Sequence, residues 1–256
     1  MALEIHQFPC LKDNYGYLIH DRGSGQCAAV DTPDAARILA EADGKGWRIT
    51  HILNTHHHFD HAGGNLAIKQ KTGCKVIGPR AEATKIPGLE IAVGEGDRIQ
   101  IGAASARVFD VPGHTAGHIA YWFDSDQVAF VGDTLFALGC GRLFEGTAEQ
   151  MWRSLSKLAA LPSETKVYCA HEYTQSNARF ALTVEPHNAA LIKRSKEIDA
   201  ARAKGQWTVP STIALELATN PFLRASSADL QKTIGVSGDL VKVFAKTRAL
   251  KDEFRG

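Results

Sequence analysis

The stretch Thr55-His56-His57-His58-Phe59-Asp60-His61 places four histidines and one aspartate within seven residues. It directly follows the apolar run 47–54, which reads as a strand, so the cluster begins where a strand stops. Its spacing fits H-x-H-x-D-H. In a loop leaving a strand, alternate residues can face a common point, with His56 and His58 toward one cation and Asp60 and His61 toward another. Imidazole and carboxylate suit first-row divalent ions. The competing reading is a polar, histidine-rich surface loop. Three further residues weigh against it: His114 in Pro112-Gly-His-Thr-Ala-Gly-His118, Asp133 in Val131-Gly-Asp-Thr134, and His171 in Cys169-Ala-His-Glu-Tyr173. Each follows an expected strand, and loops at one end of a sheet assemble into one site.

Working outward, residues 15–20 and 26–31 read as adjacent strands, and 33–44 as a helix with proline near its start and glycine at its end. Residues 62–72 read as a helix and 75–78 as a strand. A second group of strands is expected at 98–101, 106–111, 119–123 and 128–131, the last two forming a hairpin. Thr147-Ala-Glu-Gln150 is a capping box, and Met151, Leu155, Leu158 and Ala159 continue it at helical spacing, giving a helix over 148–160. After a last strand at 166–170, residues 174–182, 187–204, 227–234 and 239–250 favour helix.

Composition sets the class. The 256 residues are 44% hydrophobic and 22% charged, the usage of an ordinary globular protein, which excludes disorder as the main state. Lys+Arg of 29 against Asp+Glu of 28 leaves a net charge of +1, so no overall basic field draws in nucleic acid or an anionic membrane. The chain shows neither a membrane-length apolar run nor the pattern of a secretion signal, and a cytoplasmic location is the expectation. The charge is uneven: up to His171 the balance is acidic, and from Glu172 onward it is basic. An acidic mixed part is therefore expected at 1–172 and a basic helical part at 173–256. The five cysteines, Cys10, Cys27, Cys74, Cys140 and Cys169, are far apart and form no C-x-x-C pair, so reduced thiols packed in the core are expected.

Taken together, His56, His58, Asp60, His61, His114, Asp133 and His171 resemble the metallo-β-lactamase superfamily. Within it the chain is similar to the glyoxalase II, or hydroxyacylglutathione hydrolase, family. Asp13-Asn-Tyr15, Gly139-Cys-Gly-Arg142, Glu145-Gly-Thr147, Asn220-Pro-Phe-Leu-Arg224 and Arg248-Ala-Leu-Lys-Asp252 carry the closer likeness, the last two lying outside the metal motif. The resemblance implies an αββα sandwich, two sheets face to face with helices outside, followed by a smaller all-helical C-terminal domain. It implies two divalent metal ions per chain, zinc before iron or manganese. His56, His58 and His114 would hold the first, Asp60, His61 and His171 the second, and Asp133 would bridge. One carboxylate between two cations reduces their repulsion, and a hydroxide held there is a nucleophile at neutral pH.

The implied reaction is hydrolysis of S-(2-hydroxyacyl)glutathione, S-D-lactoylglutathione by preference, to glutathione and D-lactate, in methylglyoxal detoxification. The partner is then a small-molecule thioester, with no nucleic acid or membrane, and the chain a monomer. The resemblance assigns Arg142, Phe144, Tyr173, Arg248 and Lys251 to the grip on glutathione. Arg248 and Lys251, three apart on an expected helix, share a face; a solvated basic face is the alternative. Members from eukaryotes carry lysine and tyrosine where this chain has Arg142 and Phe144, so Phe144 lacks a hydroxyl and either faces substrate or only packs. His57 should point away from the metals, and His118 either supports a ligand or is a core histidine. Other readings are hydrolysis of a different ester or lactone, sulfur oxidation at a single iron, RNA processing, and a non-catalytic scaffold. The complete set of seven ligands argues against the single-iron reading and the scaffold, and the neutral charge balance against RNA.

Overall fold

The computed structural model describes residues 3–256. The chain divides into two compact units: residues up to Asp110 together with Thr115–Gly132, and Val111–His114 together with Asp133–Gly256.

In the first unit, β1 (Glu4–Cys10), β2 (Asn14–Asp21), β3 (Gln26–Val30), β4 (Ile49–Leu53), β5 (Lys75–Pro79) and β6 (Ile91–Val93) form one sheet in chain order. The first three strands pair antiparallel and the rest parallel, with α1 (Ala35–Lys45), α2 (Phe59–Ala62) and α3 (Asn65–Thr72) in the connections. Register decides what each face buries. Leu18, Ala29, Ile52 and Val76 lie side by side across four strands and pack with Ile38 and Ala42 of α1 and Ile68 of α3. One residue along, Tyr17, Val30, Leu53 and Ile77 form the opposite row. That row turns to a second, antiparallel set of strands, β7 (Arg98–Ile101), β8 (Ala104–Asp110), β9 (Ile119–Phe123) and β10 (Val128–Gly132). Tyr17 meets Phe130 with ring centroids 5.4 Å apart, and the Tyr121 hydroxyl donates to the Asn54 carbonyl at 2.8 Å. Strands apolar on both faces are what a covered parallel sheet requires.

The second unit contains the short hairpin β11 (Leu135–Phe136) and β12 (Gly139–Cys140), then α4 (Ala148–Ala159) and β13 (Lys166–Cys169). There follow α5 (Thr174–Val184), α6 (Ala189–Ala203), β14 (Ser211–Thr212), α7 (Ile213–Thr219), α8 (Ala228–Ile234) and α9 (Leu240–Glu253). Helix α4 has the full capping box, with Thr147 and Gln150 exchanging side-chain and backbone hydrogen bonds. Leu138, Ala178, Ala181, Leu191 and Ile198 form one buried cluster, and Phe180, Phe222 and Phe244 pack ring to ring in another.

Three local expectations need correction. Helix α1 runs to Lys45 and ends on Gly46, which is left-handed at φ 67°, so Gly44 is inside the helix rather than its stop. The helix expected over 62–72 is two: α2 begins at Phe59, within the histidine cluster, and α3 begins at Asn65. Between them, a side chain at Gly64 would meet the Thr32 carbonyl at 2.7 Å, so the close approach of that backbone requires glycine. Strands β1, β6 and β14, the β11–β12 hairpin and helix α7 were not expected at all. The cysteines are free and buried as expected; burial pushes the thiols of Cys10, Cys27 and Cys169 up to about 12 and that of Cys140 to about 11. Among the described residues no helix is long and apolar enough to cross a membrane.

Candidate active site

Each unit carries part of the expected ligand set. In the first, β4 delivers the chain to Asn54 and Thr55, after which His56 and His58 stand before α2 with His56 Nε2 3.0 Å from His58 Nδ1. Asp60 and His61 lie inside the single turn of α2, not in an alternating loop, because the chain turns helical at Phe59. His61 Nε2 is 3.5 Å from Asp60 Oδ2. The turn is pinned by its own backbone: the His61 carbonyl accepts from Asn54 Nδ2 at 2.7 Å and from the Thr32 amide at 2.8 Å. Asn14 Nδ2 donates to Asp60 Oδ2 at 3.1 Å.

Asp31 organises this half. Its carboxylate accepts from the Thr55 amide and hydroxyl, each at 2.8 Å, and stands 2.8 Å from His61 Nδ1. It does so from the left-handed region at φ 56°, uncommon for a residue with a side chain. His57 points away from the cluster as expected, its Nδ1 2.9 Å from Glu82 Oε2. The same carboxylate accepts the amides of His57 and Gly117 at 2.8 and 2.9 Å. His118 is fully buried and stacks on His56 with ring centroids 4.5 Å apart, an arrangement compatible with both readings of that residue.

In the second unit the two oxygens of Asp133 are divided between two rings. Oδ2 is 3.3 Å from His114 Nε2, and Oδ1 is 3.4 Å from His171 Nε2. His114 Nδ1 lies 3.0 Å from the carbonyl of Arg142. A carbonyl only accepts, so Nδ1 carries the proton, and in the neutral ring Nε2 presents a lone pair toward a carboxylate oxygen. The Asp31 contact has the same consequence for His61. Two acceptors facing each other at this range require a positive charge, either a second ring proton or a cation held by both. Donors bound tetrahedrally at about 2.0–2.1 Å lie about 3.3 Å apart, the spacing found within both half-sets. The residues therefore fit divalent ions. Gly141 lets the backbone pass close to Asp133 and His114, since a side chain there would collide with the Asp133 carbonyl.

The residues expected to grip glutathione all belong to the second unit. Tyr173 stacks on His171, with centroids 4.8 Å apart and planes 2° from parallel. Phe144 is 62% exposed and meets the His114 ring edge-on at 5.1 Å. It is not a core packing residue. Arg248 and Lys251 do share helix α9, but a solvated basic face does not describe Arg248. That side chain is buried, donating to the Cys140 carbonyl at 2.9 Å and to Asp252 Oδ1 at 3.0 Å. Arg142 also reaches Asp252, at 3.9 Å. Lys251 donates to the carbonyl and hydroxyl of Ser176 and lies over the rings of Phe180 and Phe254. Burial first, then the charges of Arg248, Arg179 and Arg142, bring its ammonium down to about 8.

Sequence reasoning missed Asp31 and Glu82. Asp31 had the same signal as the other site residues, a carboxylate directly after a strand. Glu82 had none, because its partners are brought to it only by the fold.

Comparison with known proteins agrees with this geometry. Residues 28–171 match the metallo-beta-lactamase superfamily, and residues 172–254 match the hydroxyacylglutathione hydrolase C-terminus. Among solved structures, the B3 metallo-beta-lactamase BLEG-1 superposes with a TM-score of 0.67 at 21% identity, over 86% of this chain and 99% of that one. ETHE1 from Myxococcus xanthus also gives 0.67, at 26% identity over 98% of both chains. The fold is that of the metallo-β-lactamase superfamily, followed by a helical C-terminal segment. Curated relatives are far closer. The hydroxyacylglutathione hydrolase of Methylococcus capsulatus is 58% identical over 255 residues, 99% of this chain and all of that protein. That of Hyphomonas neptunium is 56% identical over 254 residues, 99% of each. The chain belongs to the hydroxyacylglutathione hydrolase family, a family of metal-binding hydrolases.

Proposed function

We propose that the protein hydrolyses the thioester of S-(2-hydroxyacyl)glutathione, preferring S-D-lactoylglutathione, to release glutathione and D-lactate and so complete methylglyoxal detoxification. His56, His58 and His114 are assigned to one divalent ion, Asp60, His61 and His171 to a second, and Asp133 to both, with zinc the metal. Two such ions, when bound, would supply an acidified water and polarisation of the thioester carbonyl.

The protein's own groups do the rest. Asp31 and the Arg142 carbonyl fix the ring nitrogens that His61 and His114 present. Arg142, Phe144, Tyr173, Arg248 and Lys251 hold the peptide portion of the substrate, remote from the carbonyl that reacts. The leaving group is a thiolate, with an ordinary thiol pKa of about 8.5, so the reaction needs no strong general acid. We read 1–172 as the catalytic part and 173–256 as the substrate-binding part of a cytoplasmic monomer. The near-neutral net charge of +1 supports a small-molecule partner over nucleic acid.

The observation that carries the reading is the gathering of Arg248 and Arg179 around Lys251 in the segment that matches the hydroxyacylglutathione hydrolase C-terminus, with Arg142 joining them from outside it. The test is steady-state hydrolysis of S-D-lactoylglutathione beside a simple acyl thioester without glutathione, on protein of measured metal content. Equal kcat/KM for the two substrates would refute the assignment of glutathione.

A further inference from the structure

The turn between β11 and β12 is held by a buried collar of side chains from α5 and α7 and from the residue after α7. Glu216, fully buried in α7, accepts the Leu138 amide and Asn220 Nδ2 through Oε2, both at 2.9 Å. Its Oε1 accepts from Arg194 Nη2 at 2.6 Å and from the Ser211 hydroxyl. Asn220 Nδ2 also reaches the carbonyls of Phe136 and Gly139, at 3.2 and 3.0 Å, and Asn177 Nδ2 donates to that of Ala137 at 3.0 Å. Each residue of the turn thus has a backbone polar group tied to a side chain. Leu138, at its tip, is left-handed at φ 58°, a conformation that persists in such a residue only where its surroundings over-determine it.

What leaves the turn on either side belongs to the proposed substrate site. The Phe136 ring lies edge-on to His171 and Tyr173, with centroids 6.0 and 5.4 Å away. The Cys140 carbonyl receives Arg248 Nη1. Asp133 stands two residues before β11 and Arg142 two after β12. Glu216 is buried and fully engaged, so it acts through these groups and not on substrate.

We infer that Glu216 and Asn220 are positioning residues, setting the hairpin that aligns Tyr173 and Arg248 for the thiol-bearing peptide of the substrate; the identity of that ligand rests on the proposed activity. Removing the collar loosens groups that bind a remote part of the substrate, so the loss appears in KM.

The test uses the full-length, zinc-loaded protein and two variants. Asn220→Ala leaves the Glu216–Arg194 pair intact, and Glu216→Gln combined with Arg194→Met leaves no buried charge without its partner. Measured are KM and kcat for S-D-lactoylglutathione, the Kd of glutathione by calorimetry, metal per chain and Tm. The expected result is KM and Kd raised about fivefold or more, kcat lowered by less than about threefold, and metal content unchanged. Folded variants with KM and Kd within about twofold of the parent, and only Tm lowered, overturn the proposal in favour of a purely stabilising collar. Should the double variant fail to fold, Asn220→Ala decides alone, with Asn177→Ala, which removes a single bond, as the milder substitute. If the parent does not bind glutathione, the proposed activity falls separately, and amide exchange over 136–142 decides positioning. Exchange accelerated there more than in the rest of the unit upholds it, and a uniform change overturns it.

Discussion

His61 Nδ1 lies 2.8 Å from Asp31 Oδ2, and this contact determines which nitrogen of His61 is left to face a cation. Asp31→Asn keeps the size of the side chain and tolerates the left-handed backbone, but loses the charge that sets the tautomer. The fold should survive. Metal affinity should fall about 10- to 100-fold, as for other partners that orient a ligating histidine, measured by competition with a chelator. An unchanged affinity would mean that Asp31 serves the Thr55 loop alone.

Asp133→Asn should reduce kcat by orders of magnitude and weaken retention of the metal pair, because it removes the one negative charge placed between His114 and His171. Metal analysis and circular dichroism on the same preparation separate this from misfolding. Near-normal kcat with full metal content contradicts the shared-ligand assignment.

Lys251 should make binding depend on pH. Its folded value of about 8 lies below the ordinary 10.5, so the unfolded chain binds the extra proton between those values and stability rises with pH through that window. Below about 8 the half-buried ammonium opposes folding. Lys251→Met should therefore raise Tm at neutral pH while raising KM, and should flatten the rise in KM that the parent shows as pH passes 8. A KM independent of pH in the parent, or a variant of lower Tm at neutral pH, counts against this account.

Arg248 should behave differently from an exposed phosphate- or carboxylate-binding arginine. Its bonds to the Cys140 carbonyl and Asp252 are formed before substrate arrives, so Arg248→Ala should raise KM and also cost about 1–3 kcal/mol of stability from the unsatisfied partners. Because the guanidinium is buried, the KM effect should change little between low and high salt, unlike a screened surface contact. A salt-sensitive effect with unaltered Tm would place the side chain in solvent.

Phe144 has room for the missing hydroxyl, being exposed at the edge of the His114 ring. One neutral hydrogen bond contributes about 0.5–1.5 kcal/mol, so Phe144→Tyr should lower KM about two- to tenfold with kcat nearly unchanged. No change in KM shows that substrate passes this position without contact.

The parts of the fold legible in the sequence were those with their own local chemistry. The capping box of α4 and the apolar run before His56 announce themselves because a few adjacent residues suffice. Strand β1 was obscured by its polar residues Glu4, His6 and Gln7, spread over both faces, which suit an edge position that only the sheet order reveals. The α2–α3 break depends on how closely Thr32 approaches Gly64, a distance no local pattern encodes. Candidate site residues that follow strands were picked out by that placement, and Asp31, which also follows one, was not. Glu82 and Glu216 were not, since a buried carboxylate far from any motif gains its meaning only from the amides gathered around it.

The buried cysteines bear on the chemistry in another way. A thioester is an activated acyl donor, so any accessible cysteine thiolate would compete with water for the acyl group, taking it by thioester exchange as the glutathione thiolate leaves. Cys140, whose carbonyl anchors Arg248, is the one best placed to interfere. Burial pushes its thiol up to about 11, which keeps it protonated at neutral pH, and the residue is buried. The cysteines are in this way kept from taking up the acyl group of the substrate.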